Sequence, residues 1–393
     1  MQYRLDERSG NKLSILGFGC MRFSRGISGI DAQKAEQLIL RAIETGVNYF
    51  DTAYLYAGSE AVLGTVLSKN HLRDKIYIAT KLPIANCRAN ADFDKYFTAQ
   101  LSALNTDYFD YYLMHNINSL AQWNELCGLG IREWIAEKQS KGRFKQIGFS
   151  FHGAKDEFEK VLDAYDWDFC QIQYNYANEH YQAGVSGLKK AAERHIPVII
   201  MEPLLGGKLA KGLSRAAVDT FKKVNADYSP AAWGLRWLWN QPEVTVVLSG
   251  MNEAAQLEDN LSAAETAEPN MLTENEEAAY EKVLDIFKST DKISCTGCAY
   301  CMPCPQGVNI PACFASYNAS YTHGRVTSIL MYITSTAANR EGKSLASRCV
   351  GCGKCERHCP QKIEIRRELK SVKRRMEPFW FGRAMKIMRK RSK

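Results

Sequence analysis

Three observations predict an α/β fold in which a closed barrel of parallel strands precedes a small, cysteine-rich helical domain. Strand-like and helix-like segments alternate along the first 270 residues, which is the order found in a (β/α)8 TIM barrel. The strand segments are almost continuously apolar, as expected of strands that are buried on both faces. After residue 290 the alternation stops, and eight cysteines fall in two short runs.

The apolar segments predict eight strands, at 13–21, 48–53, 76–81, 108–115, 146–150, 169–175, 197–203 and 244–250. Between them, helical periodicity predicts helices at 31–45, 59–68, 92–105, 120–141, 155–164, 184–195 and 229–240. Gly46 and Gly142 follow two of these helices, where glycine commonly ends a helix. A polar, Glu-rich segment at 273–289 predicts a further helix.

Four parts of the chain follow from these patterns. We expect a barrel at 1–270, a linker helix at 271–290, a cysteine-rich domain at 291–365 and a basic amphipathic tail at 366–393. No apolar run approaches the ~20 residues of a membrane span, and the N-terminus lacks the features of a signal peptide. These features predict a cytoplasmic protein, in which thirteen cysteines indicate metal or redox use rather than disulfides.

The net charge of +8 is concentrated in the tail, where twelve Lys and Arg stand against two Glu. The rest of the chain is therefore slightly acidic, and the composition gives no reason to expect nucleic-acid binding. The tail also carries Phe379, Trp380 and Phe381. It is either a solvated terminus or a docking element, and a docking element would suit an acidic redox partner or, peripherally, an anionic membrane surface.

Polar residues at the ends of successive predicted strands form a candidate catalytic set. Asp51 and Tyr56 follow one strand, Lys81 closes the next, and His115 closes the one after. A phenol, whose pKa is ordinarily ~10, becomes a better proton donor when a neighbouring ammonium favours the phenolate. Asp51 would hold that ammonium and His115 would orient the substrate oxygen, so the set could protonate a carbonyl while hydride reaches its carbon.

This pattern resembles the aldo-keto reductases over about residues 13–260. The matching landmarks are Gly17-Phe18-Gly19-Cys20-Met21, Phe50-Asp51-Thr52-Ala53 with Tyr56, Lys81, and Leu113-Met114-His115. The resemblance implies a small-molecule carbonyl or alcohol substrate and a nicotinamide cofactor. It also implies a cofactor site that includes the four residues Ser150, Gln171, Gly250 and Asn260.

Two departures from the family leave the choice between NAD and NADP open. Met201-Glu202-Pro203-Leu204 stands where the family commonly has a Tyr that stacks on the nicotinamide. The segment Ser249–Gln256 contains no Lys or Arg, although many members use such residues to bind a 2′-phosphate.

The two cysteine runs resemble a two-cluster bacterial ferredoxin. The runs are Cys295, Cys298, Cys301, Cys304 and Cys349, Cys352, Cys355, Cys359, each followed by a proline. The ferredoxin rule sends the fourth cysteine of each run to the other [4Fe-4S] cluster. One cluster would then take Cys359 and the other Cys304. Two zinc sites are the alternative interpretation.

The combined pattern predicts an iron–sulfur oxidoreductase that works with a redox partner protein. Clusters pass single electrons and nicotinamide passes hydride, so the coupling requires a flavin in the barrel or an external flavoprotein. Otherwise the clusters have a structural or sensing role. The alternative function is a ferredoxin-type electron-transfer protein whose barrel is a docking or regulatory module.

Overall fold

A computed structural model describes residues 1–26, 29–322, 324–337 and 344–382 of the 393-residue chain. The chain divides into two compact units. The first, which we call the barrel unit, comprises Met1–Leu204 and Ala231–Thr273. The second, the C-terminal unit, comprises Leu205–Pro230 and the chain from Glu274 onward.

The barrel unit contains a closed barrel of eight parallel strands, which confirms the predicted fold class. In chain order, the strands are β1 Tyr3–Leu5, β2 Lys12–Ser14, β3 Leu16–Gly19, β4 Arg25–Gly26, β5 Gly29–Ile30, β6 Tyr49–Asp51, β7 Tyr77–Leu82, β8 Phe109–Ile117, β9 Phe144–Phe151, β10 Phe169–Gln173, β11 Val198–Met201 and β12 Val244–Ser249. The pairs β1–β2 and β4–β5 are short antiparallel ribbons outside the barrel. Pairing of β12 with β3 closes the barrel.

Helices follow the barrel strands, as the alternating pattern predicts. In chain order, the α-helices are α1 Ala32–Glu44, α2 Ser59–Lys69, α3 Asn90–Leu104, α4 Leu120–Gly128, α5 Ile131–Ser140, α6 Lys155–Asp163, α7 Gly184–Glu193, α8 Arg215–Val224, α9 Pro230–Trp239, α10 Ala254–Glu265, α11 Glu274–Thr290, α12 Ile310–Thr322, α13 Arg325–Tyr332, α14 Lys354–Arg357 and α15 Ile365–Met376. None of the described helices combines the length and the apolar character that crossing a membrane requires.

The prediction of one long helix at 120–141 is wrong, because the structure divides this segment into α4 and α5. Gly130 separates them with a φ of 82°, a left-handed conformation that a right-handed helix cannot continue. The side chain of Asn90 donates a hydrogen bond of 2.9 Å to the carbonyl of Leu129, which the break leaves available. This bond comes from a distant part of the chain, so local periodicity does not show it.

Strand side chains fill the interior of the barrel. The ring of Tyr111 meets those of Tyr49 and Phe169 edge-on, with ring centroids 5.2 Å and 5.1 Å apart. The hydroxyl of Tyr111 donates a hydrogen bond of 2.7 Å to Asp6 in the chain after β1. The barrel is therefore a packed core, and its functional groups are sought at the carboxyl ends of the strands.

The C-terminal unit has a hydrophobic core of its own, formed largely by α12, α13 and α15. Its buried members are Ile293, Val308, Ile310, Cys313, Phe314, Ile329, Tyr332, Ile333, Ala346, Ile365, Leu369, Val372, Met376 and Phe381. Six motif cysteines pack against this core: Cys295, Cys301, Cys304, Cys349, Cys355 and Cys359. The predicted basic tail begins with α15, four residues of which belong to this core. The amphipathic pattern predicted beyond residue 382 lies outside the described residues.

The segment Leu205–Pro230 follows β11 in sequence but packs within the C-terminal unit. Nζ of Lys208 lies 2.5 Å from Oδ1 of Asp291 and donates a bond of 2.9 Å to the carbonyl of Ile293. A Cβ on Gly206, whose φ is 69°, would lie 2.0 Å from the carbonyl oxygen of Thr296. The backbone just beyond β11 thus packs directly against the start of the first cysteine run.

Candidate active site and cysteine clusters

Three of the predicted catalytic residues lie near the carboxyl ends of neighbouring barrel strands. Asp51 is the last residue of β6, Lys81 lies in β7, and His115 lies in β8. In the β6–β7 pair Asp51 stands opposite Ala79, and in the β7–β8 pair Lys81 stands opposite Leu113. Because the strands are parallel and in this register, their functional side chains meet at one end of the barrel.

Lys81 and Asp51 form a buried ion pair. Nζ of Lys81 lies 2.6 Å from each carboxylate oxygen of Asp51 and donates a bond of 2.8 Å to the carbonyl of Thr52. Only 1% of Lys81 is exposed. Burial lowers the pKa of Lys81, and the Asp51 carboxylate opposes that effect by favouring the ammonium. Nε2 of Gln171 donates a bond of 2.9 Å to Asp51, so this carboxylate is held from two sides.

Tyr56 lies beside this ion pair, in the loop that follows β6. Its ring is edge-on to that of His115, with centroids 5.9 Å apart and planes at 89°. Nζ of Lys81 lies 5.1 Å from the centroid of the Tyr56 ring. A turn in which the N–H of Tyr56 donates to the carbonyl of Ala53 places the phenol there. The structure thus brings together all four residues of the predicted catalytic set, and their roles remain predictions.

His115 and His152 are two buried imidazoles near this group. Burial lowers the pKa of His115 well below its ordinary value, and the charges of Lys81 and His152 act in the same direction. Burial also lowers the pKa of His152 to about 4, although a hydrogen bond from its ring to Oε1 of Gln182 acts in the opposite direction. Both imidazoles are therefore neutral at neutral pH, and the candidate site contains one buried cation, Lys81.

A buried polar network supports the strand that carries Lys81, and sequence reasoning missed it. Oε1 of Glu60 accepts hydrogen bonds from Oγ1 of Thr80, at 2.6 Å, and from Nε2 of Gln100, at 2.7 Å. The Gln100 amide also reaches the carbonyl of Lys81, at 3.1 Å. The sequence signal for this network is weak, because Glu60 of α2 and Gln100 of α3 are polar residues in helices that bury mostly apolar side chains.

The cysteines of the C-terminal unit fall into two electrostatic groups. Burial, and after it the neighbouring Cys295, Cys298 and Cys359, raise the pKa of Cys301 to about 12. Cys355 belongs to a second group. Burial raises its pKa most, and Glu356, Cys349 and Cys304 raise it as well. These effects link Cys359 to the first run and Cys304 to the second, and the crossover that the ferredoxin resemblance implies stays a prediction.

The donor set of these groups suits iron–sulfur clusters. Thiolates are the usual ligands of [4Fe-4S] clusters, and each group draws on both runs. The backbone N–H of Gly297 donates to the sulfur of Cys295, the kind of contact that supports a cluster thiolate. Among the described residues, no three Cys, His, Asp or Glu side chains converge on the position of a single metal ion. The two groups are inferred from the effects of neighbouring cysteines on the pKa values of Cys301 and Cys355.

Two family models match the chain in succession. The model of the aldo/keto reductase family matches residues 15–274, which is more than half of the chain. The chain belongs to the aldo/keto reductase family. The model of a 4Fe-4S dicluster domain matches residues 294–364. This family member is therefore an oxidoreductase of the aldo-keto reductase type that carries an iron–sulfur domain after its barrel.

Characterised and solved aldo-keto reductases share its barrel. The aldo-keto reductase str7 of Strobilurus tenacellus is 24% identical over 310 residues, which cover 70% of this chain and 89% of the relative. The methylglyoxal reductase YeaE of Escherichia coli is 28% identical over 281 residues, 68% of this chain and 94% of the relative. The holo structure of aldo-keto reductase AKR11C1 from Bacillus halodurans superposes with a TM-score of 0.59 at 23% identity, covering 72% and 96% of the two chains.

The four residues that the family pattern assigns to the cofactor lie on β9, on β10, directly after β12 and in α10. Oγ of Ser150 accepts a hydrogen bond of 2.8 Å from the backbone N–H of Asn116. Nδ2 of Asn260, in α10, donates a bond of 2.8 Å to Oγ of Ser249. Gln171 bonds Asp51, as described above. Gly250 directly follows β12. Contact of these residues with a nicotinamide cofactor remains a prediction.

Arg22 is a cation near this site that sequence reasoning missed. No Lys or Arg occurs within Ser249–Gln256, but closure of the barrel brings Arg22 from the turn after β3 against Gly250. A Cβ on Gly250 would lie 3.1 Å from Cδ of Arg22, so the glycine permits this close approach. The pairing of β12 with β3 supplies the cation, and a search within one segment could not find it.

The buried histidines predict loss of barrel stability in acid. The pKa of His152 is about 4 in the folded chain and ~6.5 in the unfolded chain. Between these values the unfolded chain binds more protons, so stability falls as the pH is lowered through this window, by about 3 kcal/mol in total. Urea unfolding at several pH values, followed by tryptophan fluorescence, measures this loss.

His152→Gln is expected to flatten the pH dependence, and His180→Gln is the matched control. His180 is an exposed histidine of the same unit. Six of the seven tryptophans lie in the barrel unit, so the fluorescence reports chiefly on the barrel. An equal pH dependence in the wild type and the His152 variant would contradict a neutral, buried His152.

Proposed function

We propose that this aldo-keto reductase reduces a small-molecule carbonyl, or oxidises the corresponding alcohol, with a nicotinamide cofactor and exchanges electrons through two [4Fe-4S] clusters. The observation that supports this most is the buried Lys81–Asp51 pair, whose ammonium lies 5.1 Å from the ring centroid of Tyr56. A buried ion pair contributes little net stability. Its presence at the strand ends favours a catalytic barrel over a barrel that serves only for docking.

In this proposal Tyr56 exchanges the proton. A bound nicotinamide supplies hydride to the carbonyl carbon or accepts it from the alcohol. The Tyr56 hydroxyl donates its proton to the carbonyl oxygen, and the ammonium of Lys81 stabilises the phenolate that remains. Asp51 keeps that ammonium in place, and the neutral His115 can donate a hydrogen bond that orients the same oxygen. The reverse sequence oxidises an alcohol.

The cofactor is held by Ser150, Gln171, Gly250 and Asn260. Arg22, which packs against Gly250, adds a cation to that end of the site. A phosphate-bearing cofactor suits a cation at this position. NADH and NADPH are both retained as candidates, and steady-state rates with each measure the preference directly.

The iron–sulfur domain exchanges single electrons with a partner protein. Coupling of these single electrons to a two-electron hydride would require a flavin, bound in the barrel or carried by an external flavoprotein.

We expect iron and acid-labile sulfide each to approach roughly eight per chain in anaerobically purified protein. Eight cysteines supply the ligands of two four-iron clusters. One cluster takes Cys295, Cys298, Cys301 and Cys359, and the other takes Cys304, Cys349, Cys352 and Cys355. Colorimetric iron and sulfide assays measure both. A content of about four iron atoms per chain would indicate a single cluster. Zinc in place of iron would contradict the redox function.

The enzymatic half of the proposal is tested by carbonyl-dependent oxidation of NADH or NADPH. Purified, iron-loaded protein is assayed anaerobically with a panel of small aldehydes and ketones. We expect oxidation of at least one nicotinamide that depends on added carbonyl and yields the alcohol in equal amount. Absence of turnover with every carbonyl and of the reverse reaction with every alcohol, in protein with intact clusters, would contradict it.

A further inference from the structure

The second cysteine run is the more exposed of the two runs in the C-terminal unit. Cys352 is exposed, whereas the other seven motif cysteines are partly buried. The neighbouring Val350 is 65% exposed, which is unusual for an apolar side chain next to a ligand loop. Gly351 and Gly353 flank Cys352 with φ angles of 75° and 73°, so the backbone around the exposed thiol follows a tight path.

A pocket of about 640 Å³ lies beside this loop. Its lining includes Cys349, Val350 and Gly351 of the loop, together with Lys370 and Lys373 of α15. The pocket therefore combines a cluster ligand, an exposed apolar side chain and cationic side chains in one concave surface.

Helix α15 presents these cations because it is strongly amphipathic. One face carries four residues of the hydrophobic core, Ile365, Leu369, Val372 and Met376. The exposed positions between them carry Arg366, Arg367, Lys370, Lys373 and Arg374. The fold of the unit fixes the orientation of this helix, so the cationic face is a structural feature of the iron–sulfur domain.

Acidic neighbours neutralise only part of this face. Glu356 pairs with Arg366 at 2.8 Å, and Glu364 pairs with Arg367. Lys370 and Lys373 make no ion pair within the described part of the chain. Residues 348–375 as a whole contain ten Lys and Arg against three Glu. We call the surface formed by Val350, Cys352 and the exposed cations of α15 the basic face.

The first cysteine run lacks such surroundings. Between residues 291 and 310 the charged residues are Asp291 and Lys292. The Asp291 carboxylate is already paired: its Oδ1 lies 2.5 Å from Nζ of Lys208 and accepts a hydrogen bond of 2.7 Å from Nδ2 of Asn318. The cations near the cysteine motifs are therefore concentrated along the second run and α15, next to Cys349, Cys352 and Cys355.

We propose that the basic face is the docking site of an acidic electron-carrier protein, and that electrons enter or leave through the cluster of the second run. The inference rests on the proposed function and adds to it where the partner protein docks and the sign of its surface charge. Val350 supplies an apolar centre next to an exposed cluster ligand, and the cations of α15 form the rim that steers an acidic protein to it. A docked carrier reaches the cluster at Cys352 without reorganising the unit.

The test compares two double charge reversals in the full, iron-loaded chain. K370E/K373E changes two exposed, unpaired cations of the basic face that lie three residues apart on α15. The matched control is K282E/K288E on α11, which makes the same change in net charge at two exposed lysines of the same unit. Reduction of the clusters is followed by stopped-flow absorbance, with a reduced acidic ferredoxin or with reduced methyl viologen, a small monocation, as the electron donor.

We expect K370E/K373E to lower the second-order rate constant with ferredoxin by about tenfold or more at low salt. The difference should shrink at high ionic strength, where charges are screened. The control should stay within about twofold of the wild type, and the viologen should reduce all three proteins equally. Equal slowing of both variants by ferredoxin, or no slowing of either, would overturn the proposal.

A second arm separates a protein partner from a membrane surface. Sedimentation with phosphatidylserine-containing vesicles should not distinguish wild type from K370E/K373E. Vesicle binding that this variant loses, with an unchanged rate of reduction by ferredoxin, would assign the face to a membrane and overturn the proposal. Cluster reduction is followed without nicotinamide or carbonyl, so this result is independent of whether the barrel turns over substrate.

Charge reversal tests the basic face more cleanly than truncation of the tail would. Truncation after Ile365 would remove Leu369, Val372 and Met376 from the hydrophobic core. Loss of these buried side chains would destabilise the unit for reasons unrelated to docking. Lys370 and Lys373 are exposed, and their replacement leaves the core in place.

Discussion

Replacement of Tyr56 by Phe is expected to lower the rate of carbonyl reduction by ~10²–10⁴-fold, the usual contribution of a general acid. The change removes one hydroxyl and leaves the ring that lies against His115 and Lys81. Cofactor affinity should therefore stay close to that of the wild type. Steady-state rates give kcat, and fluorescence titration with NADPH or NADH gives the affinity.

Tyr54→Phe is the matched control for this variant. Tyr54 lies in the same loop, is 38% exposed and packs edge-on against Tyr96 with ring centroids 4.9 Å apart. Because its described ring contact is with Tyr96 and not with the Lys81–Asp51 pair, we expect its variant to retain nearly the full rate. If the Tyr56 variant kept more than about a tenth of the rate, Tyr56 would not be the proton donor.

Replacement of Lys81 by Met should damage both the stability and the activity of the enzyme. The change leaves the carboxylate of Asp51 buried without its cation, at a cost of about 3–5 kcal/mol for a pair of this kind. It also removes the charge that favours the phenolate of Tyr56. Urea unfolding followed by tryptophan fluorescence measures the first effect, and kcat under native conditions measures the second.

Lys69→Met provides the comparison for the loss of stability. Lys69 pairs with Glu36 at 2.8 Å on the surface of the same unit, with a side chain that is 64% exposed. Exposed pairs of this kind contribute about 0–1 kcal/mol. Equal destabilisation by the two variants would show that the Lys81–Asp51 pair does not have the energetics of a buried pair.

The barrel and its candidate catalytic set are predictable from the sequence because their signals are local. Each strand is a short apolar run, and the polar residues come where a run ends. Asp51, Lys81 and His115 therefore appear at neighbouring strand ends without knowledge of the fold. The cysteine spacings are equally local, and the resulting prediction of a 4Fe-4S dicluster domain is confirmed.

The features that sequence reasoning missed depend on contacts between distant parts of the chain. Arg22 approaches Gly250 only because β12 and β3 close the barrel. The segment Leu205–Pro230 belongs to the C-terminal unit because Lys208 pairs with Asp291, more than eighty residues later. Glu60 supports β7 through Thr80 and Gln100, which come from two other elements. Neither composition nor periodicity within one segment encodes such pairings.

The same limit applies to the basic tail. Its charge is evident in the sequence, but a run of cations near a terminus is commonly a solvated chain. The structure shows that its first part is α15, an ordered helix with four residues in the hydrophobic core. Because these four residues are buried, the cations of α15 are held on the opposite face of the helix, beside the second cysteine run.

The central claim, that the barrel and the clusters form one electron path, is tested most directly by adding NADPH or NADH to the anaerobic, oxidised protein and following the visible absorbance of the clusters. We predict that one of the two nicotinamides bleaches this absorbance, either directly or after addition of FMN or FAD. Tyr56→Phe should bleach like the wild type, because the phenol takes part in proton transfer to the carbonyl and not in cluster reduction. Continued carbonyl turnover without bleaching, with either nicotinamide and either flavin, would contradict the account and separate the two halves of the protein.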